Sequence, residues 1–156
     1  MIRVGLISDT HGLLRPEALA FLRGSDHIVH GGDIGDPQIL ETLRTIAPLT
    51  VVRGNNDYSE WARGIHETEL VEIGKVHLYA IHNLAELDID PAAAGIKVVV
   101  SGHTHKPQVN QLKGVIYVNP GSAGPRRFKL PIAVGELRIE GDVVTARTVD
   151  LEDAEP

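Results

Sequence analysis

The chain has no cysteine among its 156 residues. That excludes disulfides, thiolate zinc sites and a cysteine nucleophile, and it fits a reducing compartment, so a cytoplasmic location is expected. Long hydrophobic runs are also missing. The apolar stretch from Ile2 to Ile7 is far shorter than the ~20 residues of a membrane-spanning helix. Ser8 and Asp9 follow it at once, which is not the pattern of a secretory leader, and no membrane partner is expected. Positive charge is in short supply: 15 Lys and Arg face 21 Asp and Glu, for a net charge of −6. Broad nucleic-acid binding is therefore not expected. The one local exception is the basic cluster Arg126-Arg127-Lys129. The sequence contains no internal repeat, linker or low-complexity stretch. Its apolar fraction of 42% and charged fraction of 23% are those of a soluble globular protein. A length of this order predicts one domain over 1–156, long enough to bury an ordinary core.

Hydrophobic patterning predicts the elements. Ile2 to Ile7 reads as a buried strand. Pro16 to Leu22 reads as a short helix with proline in its first turn, and His27 to His30 as a second strand ending at Gly31-Gly32-Asp33. Asp36-Pro37 is a cap followed by an N1 proline. The helix it opens runs to about Ile46, with Ile39, Leu40, Leu43 and Ile46 on one stripe. Leu49 to Val52 is a third strand. Further on, Glu69 to Ile73 and Val76 to Ile81 flank Gly74-Lys75 as a hairpin. Pro91 to Ala94 suggests a short helix and Lys97 to Val100 a buried strand. Two more hairpins are read at Val109 to Leu112 with Val115 to Val118, and at Ile132 to Ile139 with Val143 to Val149. The acidic tail from Glu152 to Pro156 is expected to fray. Parallel βαβ units followed by hairpins predict an α/β fold of two mixed sheets packed face to face, with helices outside.

Five short fragments carry the chemistry: Asp9-Thr10-His11, Gly32-Asp33, Gly54-Asn55-Asn56-Asp57, Ile81-His82-Asn83 and Gly102-His103-Thr104-His105. Asp9, Asp33, Asn55, His82 and His103 each follow an apolar run. In open α/β sheets ligands collect beyond the carboxyl ends of strands, so a common end is a physical expectation. Asp9 and His11 can aim from one turn at one ion. Asp33 can bridge two cations, Asn55 offers a neutral amide oxygen, and His103 and His105 can face different ions. These seven donors exceed the needs of one tetrahedral zinc. They suit two divalent ions about 3.5–4 Å apart, a standard arrangement for phosphate-ester hydrolysis. Nitrogen and oxygen ligands without sulfur suit Mn, Fe, Ni, Zn or Co. His27, His66 and His77 lack such partners, and His30 stands just before the Gly-Gly-Asp turn.

In this order, D-x-H, G-D, G-N-x-D, H and G-H-T-H, the motifs resemble those of the calcineurin-like metallophosphoesterases. Ser8-Asp9-Thr10-His11-Gly12, Ser101-Gly102-His103-Thr104-His105 and Asn119-Pro120-Gly121-Ser122 are similar to the small prokaryotic phosphodiesterase branch. The resemblance spans Ile2 to about Ser122. It implies a four-layer sandwich and two metal ions: Asp9, His11, Asp33 and His105 on one, and Asp33, Asn55, His82 and His103 on the other. Two positions depart from the pattern. The family often has a proton-donating histidine where this chain has Asn56, while Asp57, the residue that supports that histidine, is kept. The family commonly has glycine where this chain has Asn83.

The expected activity is divalent-metal-dependent hydrolysis of a small phosphoester by water or hydroxide held between the ions. Asn56 is expected to touch phosphate without supplying a proton, a lack that weakens general-acid catalysis, typically worth about 10²–10⁴-fold. Arg126 is either a substrate contact or a solvated charge. The Asn119-Pro120-Gly121-Ser122 turn either touches phosphate or closes a strand against the site. The competing expectation is a metal-binding scaffold subunit of the same fold with little hydrolysis. Pairing of C-terminal hairpin strands between copies would give a homo-oligomer.

Overall fold

A computed structural model of the chain describes residues 1–152. Residues 153–156 of the expected acidic tail lie outside the described residues. Among the described residues ten strands and two α-helices form in the order β1 (Ile2–Ile7), α1 (Pro16–Leu22), β2 (His27–His30), α2 (Pro37–Arg44), β3 (Leu49–Val51), β4 (Thr68–Ile73), β5 (Val76–Ile81), β6 (Val98–Val100), β7 (Gln108–Leu112), β8 (Val115–Asn119), β9 (Ala133–Glu140) and β10 (Val143–Asp150). They make two mixed five-stranded sheets, one of order β10-β9-β1-β2-β3 and one of order β4-β5-β6-β8-β7. This is the α/β sandwich that the patterning predicts.

The parallel run β1-β2-β3 follows from the two βαβ units. Proline opens both helices, and in α2 the Asp36 carboxylate accepts the Gln38 N–H, which satisfies one of the orphan donors of the first turn. Ile39, Leu40 and Leu43 of α2, with Ala18 and Leu22 of α1, pack on Ile7, Ile28 and Val134 at the outer face of the first sheet. The helix ends at Arg44 rather than Ile46. Between the sheets lies the main core. Val4, Leu6 and Val29 meet Val76, Leu78, Ala80, Val98, Val100 and Val118.

Two features differ from expectation. Pro91 to Ala94 forms successive turns instead of a helix, because so short a segment cannot repay helix nucleation. The outer face of the second sheet is therefore covered by a 3-10 turn, Leu84–Glu86, and by Leu87 and Ile96 packed on Ile81, Val99 and Val115, while both α-helices lie on the first sheet. The C-terminal hairpin inserts β9 antiparallel to β1, pairing Ile2 with Ile139, a contact between chain ends that local pattern does not encode. Among the described residues no helix is long and apolar enough to cross a membrane.

Candidate metal centre

The candidate ligands sit in the turns that leave β1, β2, β3, β5 and β6. Among the described residues seven non-glycine positions have positive φ, and five of them are Asp9 (54°), His11 (45°), Asp33 (57°), His103 (72°) and His105 (65°). Such residues are uncommon outside glycine and are held only where the surroundings over-determine them. Each sharp turn redirects a polar side chain towards the same rim of the sandwich.

There the ligand atoms converge. Asp9 Oδ1 lies 3.4 Å from His105 Nε2, 3.8 Å from His11 Nε2 and 3.9 Å from His82 Nε2. Asp33 Oδ2 stands 3.3 Å from His82 Nε2 and 3.7 Å from His11 Nε2. Two compact trios result, Asp9-His11-His105 and Asp9-Asp33-His82. Asp33 thus faces both flanks of the cluster, as a bridging ligand would, and Asp9 also faces both. His103 and Asn55 stand beside His82. The His103 ring is 5.2 Å from that of His82, and its Nδ1 is 3.1 Å from Asn55 Oδ1.

The chemistry of these atoms fits cations. Buried polar atoms are normally paired, yet Asp9 Oδ1 and His82 Nε2 have no aligned hydrogen-bond partner. The His82 ring donates from Nδ1 to the Gly31 carbonyl at 2.7 Å, so the lone pair of neutral His82 is on Nε2, facing the two aspartates. A backbone partner of this kind is the usual second contact of a metal-binding histidine. Burial raises the Asp33 carboxyl pKa, but the His82 ring and the Asn56 N–H outweigh it and hold the group well below the usual carboxylate range. Burial likewise lowers the His82 pKa, and the paired aspartates more than reverse it. A centre that already prefers positive charge over neutral surroundings is what divalent cations require.

Several supports were invisible in the motifs. Ser8 Oγ donates to Asp9 Oδ2 at 2.7 Å, and the His103 N–H donates to the same oxygen. His30 is fully buried behind the ligands. It accepts the Gly32 N–H at Nδ1, so Nε2 carries the proton that meets Thr10 Oγ1 at 3.0 Å, and Thr10 donates on to the Ile34 carbonyl. Burial pushes the His30 pKa down to about 4, which keeps the ring neutral. Glycine is required at two approaches. A Cβ on Gly54 would sit 2.1 Å from Asp33 Oδ1, and one on Gly102 would sit 2.2 Å from Ser8 Oγ.

The remaining candidates fall as follows. Asn56 turns onto Asp33, its N–H donating to Oδ1 at 2.9 Å and its amide to Oδ2 at 3.0 Å, so in this conformation it holds the carboxylate. Asp57 is buried and accepts the N–H groups of Ile34, Gly35 and Gly54; it supports backbone and makes no hydrogen bond to the side chain of residue 56. Arg126 pairs with Glu152 and, among the described residues, makes no hydrogen bond or ion pair with a candidate ligand. Asn119 donates to the Gly102 carbonyl and Thr104 Oγ1, and Ser122 donates to the Asp9 carbonyl. The Asn-Pro-Gly-Ser turn therefore braces two ligand loops from behind. Asn83 caps the 3-10 turn by accepting the Ala85 N–H, a role glycine could not fill.

The sequence profile of the calcineurin-like phosphoesterase superfamily domain matches residues 2–142. A probable metallophosphoesterase of Methanothermobacter thermautotrophicus is 36% identical over 94% of this chain and 91% of its own length. A phosphodiesterase of Methanocaldococcus jannaschii is 26% identical over 77% of this chain and 83% of its own. Among solved structures, vacuolar protein sorting 29 from Cryptosporidium parvum superposes with a TM-score of 0.82 at 22% identity, covering 99% of this chain and 93% of that one, a likeness of fold. With the candidate ligand motifs at one rim of the matching sandwich, the chain belongs to the calcineurin-like phosphoesterase superfamily.

Proposed function

We propose that this protein is a binuclear, divalent-metal-dependent phosphodiesterase. The observation that carries the reading is the convergence of Asp9, Asp33, His11, His82 and His105 with Asp9 Oδ1 and His82 Nε2 left unpaired at its centre. Asp9, His11, Asp33 and His105 would hold one ion, and Asp33, Asn55, His82 and His103 the other. When bound, such a pair activates water near neutral pH and offsets the charge of phosphate oxygens. The protein's own part is placement. The strained turns fix the donors before any ligand arrives, and Asn56 and Ser8 lock the two aspartates in orientation.

The leaving group must take its proton from elsewhere, because the amide of Asn56 has none to give as an acid. Since general-acid catalysis is worth about 10²–10⁴-fold, esters with poor leaving groups are penalised most and activated aryl diesters least. The relative in M. jannaschii, named a phosphodiesterase, supports the diester class. The same Asn56 also favours a second reading, a metal-binding scaffold with weak hydrolysis, as the likeness to a sorting protein suggests.

One experiment separates them. A panel of phosphomonoesters and diesters is assayed with Mn, Ni and Zn, alongside Asp33→Asn. Metal-dependent turnover of an aryl diester that collapses in the variant is expected. No turnover with any metal, from protein that binds metal, would leave the scaffold reading, and turnover undiminished in Asp33→Asn would mark contamination.

A further inference from the structure

Next to the ligand cluster opens a cavity of about 420 Å³. Asn55 and His82 are among its lining residues, so it adjoins the ligand cluster, towards which His82 turns its unpaired Nε2. Tyr79 forms part of the wall. The charged residues around it are Arg53, Glu67, Glu86 and Asp88. Arg53 donates to Glu67 at 3.0 Å, and these two charges cancel. Glu86 and Asp88 have no cationic partner within 4 Å among the described residues, so the cavity keeps two uncompensated negative charges.

A wall of this kind discriminates by charge. A second phosphate or a carboxylate on the substrate is repelled, and an ammonium is attracted. Tyr79 adds an aromatic ring, the surface on which alkylammonium groups are held through the ring quadrupole. We infer that the cavity takes one ester group of the substrate and selects a cationic alcohol, of the alkylammonium class, over neutral or anionic ones. The inference rests on the phosphoesterase reading for the position of the phosphate.

The test uses the manganese-loaded protein and titration calorimetry with phosphorylcholine and neohexyl phosphate, in which carbon replaces the nitrogen. Shape and phosphate are the same, so the ratio of the two Kd values reads the cationic charge alone. Two carboxylates about 6 Å from the ammonium, at the dielectric of water, give a preference of about tenfold for phosphorylcholine. In the double variant Glu86→Gln, Asp88→Asn the ratio should fall towards one. Both residues are exposed, so the variant folds, and any general damage weakens both ligands alike. Equal binding by the unsubstituted protein, binding of neither ligand by metal-loaded protein, or a preference that survives the double substitution would overturn the inference. Because the readout is binding, a protein that shows the preference yet hydrolyses no ester would defeat the phosphodiesterase reading while leaving the cavity's selectivity intact.

Discussion

Replacing Asp57 by alanine tests how the ligand loops are held together. Its carboxylate, in a residue only 3% exposed, accepts backbone N–H groups of Ile34 at 2.9 Å, Gly54 at 3.0 Å and Gly35 at 3.2 Å. It thereby ties the turn after β2, which carries Asp33, to the turn after β3, which carries Asn55. Alanine strands three donors. A buried donor left without an acceptor costs about 1–3 kcal/mol, and water entering the vacated space recovers part of that. The expected loss is about 3–5 kcal/mol, a large share of the roughly 5–15 kcal/mol that holds a domain folded. Asparagine keeps one acceptor but turns an NH₂ against the remaining donors, so about half that loss is expected. Urea denaturation of chelator-treated protein is the right assay, since bound metal would add its own stabilisation. Alanine should also weaken manganese binding, because Asp33 and Asn55 lose their common brace. A Asp57→Ala variant destabilised by less than about 1 kcal/mol, with unchanged manganese affinity, would refute this account of the loops.

Three other outcomes are expected. Gly54→Ala pushes a methyl against Asp33 backbone and carboxylate atoms 2.1–2.8 Å away, so it should lower the melting temperature sharply and impair metal binding, whereas Gly64→Ala, with open space around it, should change neither. Glu136 reports on pH. Burial raises its pKa, but Arg3, Arg147 and Arg138 outweigh burial and hold it at about 2. A carboxylate lowered from its unfolded value of 4.5 contributes stability above that pH and loses it as pH falls towards 2. At about 1.36 kcal/mol per pKa unit, the loss of roughly 3 kcal/mol on acidification should shrink in Glu136→Gln, as read by denaturation across that range. Asn56→His should raise the ratio of alkyl-ester to aryl-ester turnover, towards the 10²-fold or more typical of a general acid; an unchanged ratio would show that protonation of the leaving group does not limit the reaction.

Much of the site was legible because its residues obey a simple rule: an apolar run sets a strand, and the polar residue after it lands at the strand's carboxyl end. That rule puts Asp9, Asp33, Asn55, His82 and His103 just beyond the carboxyl ends of strands, where the structure has them. It could not reveal that Asp9 as well as Asp33 faces both halves of the cluster, since that depends on turn angles. Nor could it show that Asp57 braces backbone, or that Arg126 pairs with Glu152. Those depend on side-chain directions set by tertiary contacts. The hairpins were readable from Gly74, Gly114 and Gly141, each with φ > 0 in the structure. The pairing of β9 with β1 was not, because nothing local ties residues more than a hundred positions apart. Pro91 to Ala94 misled because proline followed by alanines is a helix start only when the helix has room to continue.

The most direct test is the metal content of chelator-treated protein after equilibrium dialysis against manganese. The account predicts two ions per chain, falling to at most one in Asp33→Asn, with both proteins folded. Folded protein that retains no manganese, nickel or zinc, or an Asp33→Asn variant that binds as much metal as the parent, would contradict it.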